Sequence, residues 1–238
     1  MAYVAGRPHD GRAQADSMDL LTHQLLNEAE VNEMRDSLLA DESSWEDGKK
    51  TAGSQAAQVK NNLQLNRRSE LSQKTSQQVI NRMLADKLVK SFSLSRRIHG
   101  VIFSRTGEGQ GYGMHVDNAY MQSGRSDLSF TLFLSKPENY EGGSLCIQTV
   151  QDSKDVKLPA GHVVIYPSTS LHAVETVTSG ERLVCVGWIQ SYVCSHEERS
   201  ILFGLDAGAR GLLAKQGRSP ELDLVFQSYT NLLRRFGD

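Results

Sequence analysis

The chain has 238 residues, enough for one domain with appendages or two small ones, and its 39% hydrophobic and 23% charged content is an ordinary soluble balance. A formal net charge of -2 gives no basic field for nucleic acid, and no run approaches the roughly 18 apolar residues of a membrane span. Three scattered cysteines, Cys146, Cys185 and Cys194, argue against a disulfide framework or a zinc cage, and point to a reducing, cytoplasmic home.

Residues 1–18 read as a flexible N-terminal arm, and the stretch lacks the apolar run of a signal peptide. Next, "NEAEVNEMRDSLLA" predicts a helix over 28–40. Asn27 and Glu30 have capping-box spacing, and Val31, Met34 and Leu38 share a face. Residues 41–68 are polar and Gly-containing, which predicts a long loop or flap able to close over a substrate. A second helix is expected over 69–90, with Ile80, Leu84 and Leu88 on one face.

The period changes near Arg96. "RRIHGVIFSRT", "LSFTLFLS", "GSLCIQTV", "DVKLP", "HVVIYPS", "LHAVETV" and "ERLVCVGWIQSYV" are short β-rich runs divided by turn signals. Helical patterning returns after Tyr192. Ser195 with Glu198, and Ser219 before Pro220, mark two further helix starts. The expected fold is mainly β with flanking α-helices, a jelly-roll barrel. Its parts are the arm at 1–18, supporting helices and flap at 19–95, the barrel core at 96–194 and a helical appendage at 195–238.

The segment "HVDNAY" places His115 and Asp117 two residues apart, so in a strand both face one side. A charged hydrogen bond on a solvated face would use the same pattern. A second histidine, His172, lies 55 residues beyond Asp117 in another extended run. Two histidines and one carboxylate are the ligand set of the facial triad, which leaves iron positions open. Arg182 follows His172 by ten residues, across "TSG". A hairpin centred on Ser179 would pair Thr176 with Arg182, turn the guanidinium inward and set it about 13 Å along the strand from His172. An inward arginine calls for an anion. Tyr112, among glycines, and Thr131, on the parity of Ser129 and Phe133, are further candidates for the pocket.

The motifs "HVDNA", "RSDLS", "TLFLS", "YEGG", "KLPAG", "YPS" and "SLH", with the arginine ten residues on, resemble the iron(II)/2-oxoglutarate dioxygenases, and most closely the PKHD-type hydroxylases related to prolyl hydroxylases. "DGKKTAGSQAAQVKNNLQL" and "ERSILFGLD" resemble that family too, so the likeness spans residues 20–206. It implies that His115, Asp117 and His172 hold Fe(II) and that Arg182 holds the 2-oxoglutarate carboxylate; the flanking glycines and the strand parity offer Tyr112 and Thr131 as further cosubstrate contacts. It also implies use of O2, with ascorbate as a candidate reductant. The implied reaction converts 2-oxoglutarate to succinate and CO2 while a C–H bond of a protein side chain or small metabolite is hydroxylated. Thr106 and His162 depart from the family, which often carries tyrosine at the first position and aspartate at the second. Two other readings compete. Nucleic-acid demethylases of the superfamily usually carry a second arginine six residues after the first, where this chain has Trp188. A non-catalytic, cupin-like metal-binding or sensor barrel would not need Arg182.

Overall fold

The computed structural model describes residues 20–40, 42–51, 58–149 and 152–238. The arm expected at 1–18 lies outside them, as does part of the flap expected at 41–68. Before the barrel come β1 (Leu21–Gln24), α1 (Glu28–Leu39), β2 (Trp45–Asp47), β3 (Lys60–Asn61), β4 (Leu63–Leu65), α2 (Glu70–Ala85) and α3 (Lys87–Ser93). The long strand β5 (Ser95–Thr106) follows, then β6 (Gly111–His115), β7 (Tyr120–Met121), β8 (Gly124–Arg125) and β9 (Leu128–Phe133). Next are β10 (Tyr140–Gly142), β11 (Leu145–Gln148), β12 (Ser153–Val156), β13 (His162–Pro167), β14 (His172–Val174), β15 (Val177–Gly180) and β16 (Arg182–Ser191). Two helices close the chain, α4 (His196–Gln216) and α5 (Pro220–Phe236). None of the described helices is long and apolar enough to cross a membrane.

The strands build the expected jelly roll. A major sheet has the order β1-β13-β9-β16-β5-β4-β2, and a minor sheet the order β12-β11-β14-β6-β3. Strand alternation explains why the sheets face each other. In β9, Ser129, Thr131 and Phe133 point to the inside, while Phe130 and Leu132 join the cluster behind the sheet. Phe133, Val164, Tyr166 and Val184 of the major sheet meet Leu145, Ile147 and Val156 of the minor sheet. Behind the major sheet, Phe103, Leu132, Ile165, Leu183 and Cys185 pack against Val31, Met34 and Leu38 of α1, Val79 and Met83 of α2, and Val89 and Phe92 of α3. Side chains of this size, fully buried, each stabilise by about 1.5–3 kcal/mol. The first turns of α4 pack against the end of α5 through Leu202, Leu232, Leu233 and Phe236.

Several local expectations change. Four short strands, β1 to β4, occupy the region read as supporting helices and flap, and β3 and β4 turn the end of the flap into barrel wall. The helix expected over 69–90 breaks at Asp86, whose carboxylate accepts from the Leu88 and Val89 amides and starts α3 anew. The buried stripe of α2 is Val79 and Met83, while Leu84 faces water, because the sheet lies one position round from the stripe read in the sequence. The hairpin expected through Ser179 does not form. β15 pairs with β10, and β16 crosses to the major sheet to pair with β5 and β9, with Arg182 opposite Thr106. The 13 Å estimate along one strand therefore has no basis, since His172 and Arg182 stand on facing sheets.

Asp86 also bonds His23 at 2.9 Å and so ties β1 to the α2–α3 junction. Asp86→Ala is expected to cost about 1–2 kcal/mol in urea unfolding, and Asp86→Asn less, since asparagine still caps.

Candidate metal centre

The two histidines meet because β6 and β14 are neighbours in the minor sheet, with His172 directly opposite His115. Their ring centroids are 4.2 Å apart. Each ring is oriented by a carbonyl two residues upstream: His115 Nδ1 donates to the Gly113 oxygen at 2.8 Å, and His172 Nδ1 to the Ser170 oxygen at 3.0 Å. With Nδ1 carrying the proton, a neutral ring keeps Nε2 as a free lone-pair donor. β6 ends at His115, so Asp117 arrives from the loop beyond it rather than from the strand. Its carboxylate stands 3.8 Å from His172 Nε2. Ser129 Oγ donates to it at 2.5 Å and is itself 2.8 Å from Ser168 Oγ. One ligand atom from each of His115, Asp117 and His172 lies within 4.8 Å of the others, which suits one divalent ion. Two imidazoles and one carboxylate are a donor set fitting iron(II).

Tyr112 reaches the same face by a bulge. Four residues of β6, from Tyr112 to His115, oppose three of β14, from Val174 to His172. The Tyr112 ring consequently stacks on His115 with centroids 3.7 Å apart. Gly113 lets Val59, just before β3, pass close to β6, since a Cβ there would stand 2.8 Å from the Val59 side chain.

These side chains line one cavity of about 620 Å³, which extends to Arg182 and Thr131 on the major sheet. Arg182 is only 2% exposed, lies over the Phe133 ring, and keeps a buried Nε without a hydrogen-bond partner. No carboxylate among the described residues pairs with it. Burial pulls the guanidinium pKa down, and the neighbouring Tyr140 and Tyr166 oppose this. A buried cation with an orphaned donor fits the carboxylate of a small acid. Thr131 is buried beside the Tyr166 hydroxyl, whose pKa burial raises well above the ordinary range. Thr106 also lines the cavity. Trp188 does too, its ring against Gly100, where φ is 66° and a Cβ would come within 2.5 Å of the indole. All four residues expected to hold the metal and cosubstrate carboxylate, with Tyr112 and Thr131, therefore surround one space. Sequence reasoning missed Ser168, Tyr140 and Tyr166; of these only Tyr166, on the inward parity of Val164, had a readable signal. A second cluster, Cys146, Asp155 and Glu175, lies away from the cavity.

Comparisons with known proteins give the family. The 2OG-Fe(II) oxygenase superfamily pattern matches residues 101–190. A PKHD-type hydroxylase of Prochlorococcus marinus (strain MIT 9313) is 74% identical over 220 residues, which is 92% of this chain and 100% of that one. Another, from strain MIT 9211, is 62% identical over 93% of this chain and 100% of its own length. A Pseudomonas putida prolyl-4-hydroxylase shares the fold, with a TM-score of 0.56 at 17% identity over 74% of this chain and 95% of that one. A Trichoplax adhaerens prolyl hydroxylase, solved with a hypoxia inducible factor peptide fragment, matches at TM-score 0.56 and 12% identity over 79% of this chain and 89% of that one. The chain has the fold and family of an iron(II)- and 2-oxoglutarate-dependent oxygenase. The chain belongs to the PKHD-type hydroxylases of that superfamily, and it is an enzyme, which sets the non-catalytic barrel aside.

Ser129→Ala removes the hydroxyl that holds the Asp117 carboxylate and is expected to weaken cobalt(II) binding by about 10–100-fold, with little change in folding. Calorimetric titration of the chelator-treated protein checks this. Burial, then the neighbouring His172, lowers the His115 pKa to about 4. The unfolded value is near 6.5, so the unfolded chain takes the proton first. Stability of the metal-free protein should accordingly fall as pH drops from about 6.5 toward 4, and His115→Gln should flatten that slope in thermal unfolding.

Proposed function

We propose that His115, Asp117 and His172 hold the iron(II), and that Arg182 takes the distal carboxylate of 2-oxoglutarate. The observation that carries this is the buried, unpaired Arg182 Nε sharing one cavity with a two-histidine, one-carboxylate cluster. When bound, iron and 2-oxoglutarate supply the O2 chemistry that yields succinate and CO2 and hydroxylates a C–H bond. The chain's residues set the stage for it. The Gly113 and Ser170 carbonyls orient the imidazoles, Ser129 fixes the carboxylate, and Tyr112 covers one face of His115. Thr131 and Tyr166 line the path from the metal cluster to Arg182 and help exclude water. Residues 96–194 act as the catalytic core, 19–95 support it and lend β3 and β4 to the cavity wall, and 195–238 support it from outside.

The primary substrate is a prolyl or other protein side chain, or a small metabolite. The prolyl hydroxylases that share the fold favour the first. The free thiols Cys146, Cys185 and Cys194 support a reducing, cytoplasmic compartment. Nucleic acid is not an expected substrate, because Trp188 stands at the position of the second arginine and the net charge is -2.

Succinate formation with iron(II), 2-oxoglutarate and O2, screened against prolyl peptides, other peptides and small acids, tests the reading; repeating it without ascorbate tests the reductant. Asp117→Ala is expected to abolish turnover. Each hydrogen bond to a charged group contributes about 1.5–3 kcal/mol, so loss of a two-point contact in Arg182→Ala should weaken 2-oxoglutarate by roughly two to four decades. Arg182→Lys should restore only part, because an ammonium has no fork. Anaerobic 2-oxoglutarate titration reads the effect, and binding of Arg182→Ala within threefold of wild type would place the carboxylate elsewhere.

A further inference from the structure

The guanidinium of Arg182 can meet a carboxylate by either of two edges: its two terminal nitrogens, or Nε with one of them. What the neighbouring side chains offer decides between the edges. Tyr140, in β10, is only 3% exposed, and its hydroxyl is sealed from solvent without a hydrogen-bond partner. Arg182 Nε is in the same condition. The two side chains are neighbours. β10 pairs with β15 so that Tyr140 stands opposite Gly180, two residues before Arg182. Gly143, with φ at 65°, lies against both: a Cβ there would stand 3.2 Å from Arg182 Cδ and 3.2 Å from Tyr140 Cδ2. Burial raises the Tyr140 pKa and lowers that of Arg182, and each group opposes the shift of the other.

The tyrosine is itself held in place. Lys157 Nζ donates to the Tyr140 carbonyl oxygen at 2.7 Å and lies 4.1 Å from the ring centroid. Phe133, whose ring centroid is 5.5 Å from Arg182 Cζ, has no polar atom to offer the guanidinium. A buried N–H and a buried hydroxyl left unmet are both costly, and one hydrogen bond from Nε to the phenol oxygen meets both. A neutral phenol satisfies that N–H but not the guanidinium charge. The site therefore still calls for an anion, and the terminal nitrogens are the edge left for it.

We propose that Tyr140 is a positioning residue for the cosubstrate: its hydroxyl oxygen accepts from Arg182 Nε and leaves the two terminal nitrogens to take the distal carboxylate end-on. This rests on the reading that Arg182 receives that carboxylate. Tyr140 does not line the cavity, so it acts through Arg182 rather than on the cosubstrate.

The test is anaerobic titration of cobalt(II)-loaded protein, read from the cobalt absorption bands. The probes are 2-oxoglutarate and 2-oxopentanoate, which has the same carbon chain without the distal carboxylate. Cobalt loading and thermal unfolding are measured first for each protein. Tyr140→Phe keeps the ring and removes only the oxygen, so it should load and unfold as wild type does. It is expected to bind 2-oxoglutarate roughly tenfold more weakly, the worth of one hydrogen bond to a charged group, and 2-oxopentanoate as wild type does. Added to Arg182→Ala, it should change 2-oxoglutarate affinity by less than about threefold, because the arginine it acts on is gone. An Arg182→Ala protein that binds 2-oxoglutarate like wild type overturns the reading of the cosubstrate end and this proposal with it. A weakened Arg182→Ala beside a Tyr140→Phe that binds like wild type overturns the role of Tyr140 alone. So does a Tyr140→Phe that loses 2-oxopentanoate equally, or one whose loss persists in Arg182→Ala, since the hydroxyl would then act by packing or on the cosubstrate itself.

Discussion

The antiparallel register of β6 with β14 sets His172 opposite His115, and the rest of the site depends on it. A slip of one residue would turn one imidazole out of the barrel, because side chains alternate between faces. The local bulge adds Tyr112 to the same face without disturbing the pair. Both Nδ1 atoms bond carbonyls of their own segments, so ring orientation is set by backbone and needs no further side chain. The two histidines are then as rigid as the sheet that carries them.

The major sheet supplies what the minor sheet lacks. Ser129, Thr131 and Arg182 all come from adjacent strands β9 and β16, and alternation turns them toward the histidines. The outward residues between them, Phe130, Leu132 and Leu183, anchor the same strands on α1, α2 and α3. Helix packing and site geometry are in this way two faces of one set of strands. Ser129 links the sheets directly by holding Asp117, which lies on the loop leaving β6. The buried charges set the chemistry that fits here: at one end a cation that no carboxylate among the described residues pairs with, and three metal-type donors at the other.

Much of this was legible in the sequence, for reasons that differ by residue. His-x-Asp alone is common by chance; His115, Asp117 and His172 stood out as a two-histidine, one-carboxylate set in extended runs, beside motifs that resemble the dioxygenases, and the barrel followed from the change of period near Arg96. The inward direction of Arg182 was foreseen by a wrong route. The expected hairpin at Ser179 does not exist, and the alternation of β16 itself does the turning. Tyr112 could not be placed from parity, because a bulge depends on the partner strand. The strands β2, β3 and β4 are only two or three residues long, too short for any periodicity, so the wall containing Lys60 read as flap. Asp86 breaks a helix without proline or glycine, by offering its carboxylate to the next turn. Ser129 and Ser168 are 39 residues apart, and only the folded sheet brings them together.

The central claim is that one cavity holds iron on three named side chains and 2-oxoglutarate on a fourth. Anomalous diffraction from crystals grown anaerobically with iron(II) and 2-oxoglutarate tests it most directly. One iron peak is expected between His115 Nε2, His172 Nε2 and an Asp117 oxygen, with the cosubstrate running from that peak to the Arg182 guanidinium. An iron peak elsewhere, for example at Cys146, Asp155 and Glu175, or a cosubstrate carboxylate seated away from Arg182, would contradict it.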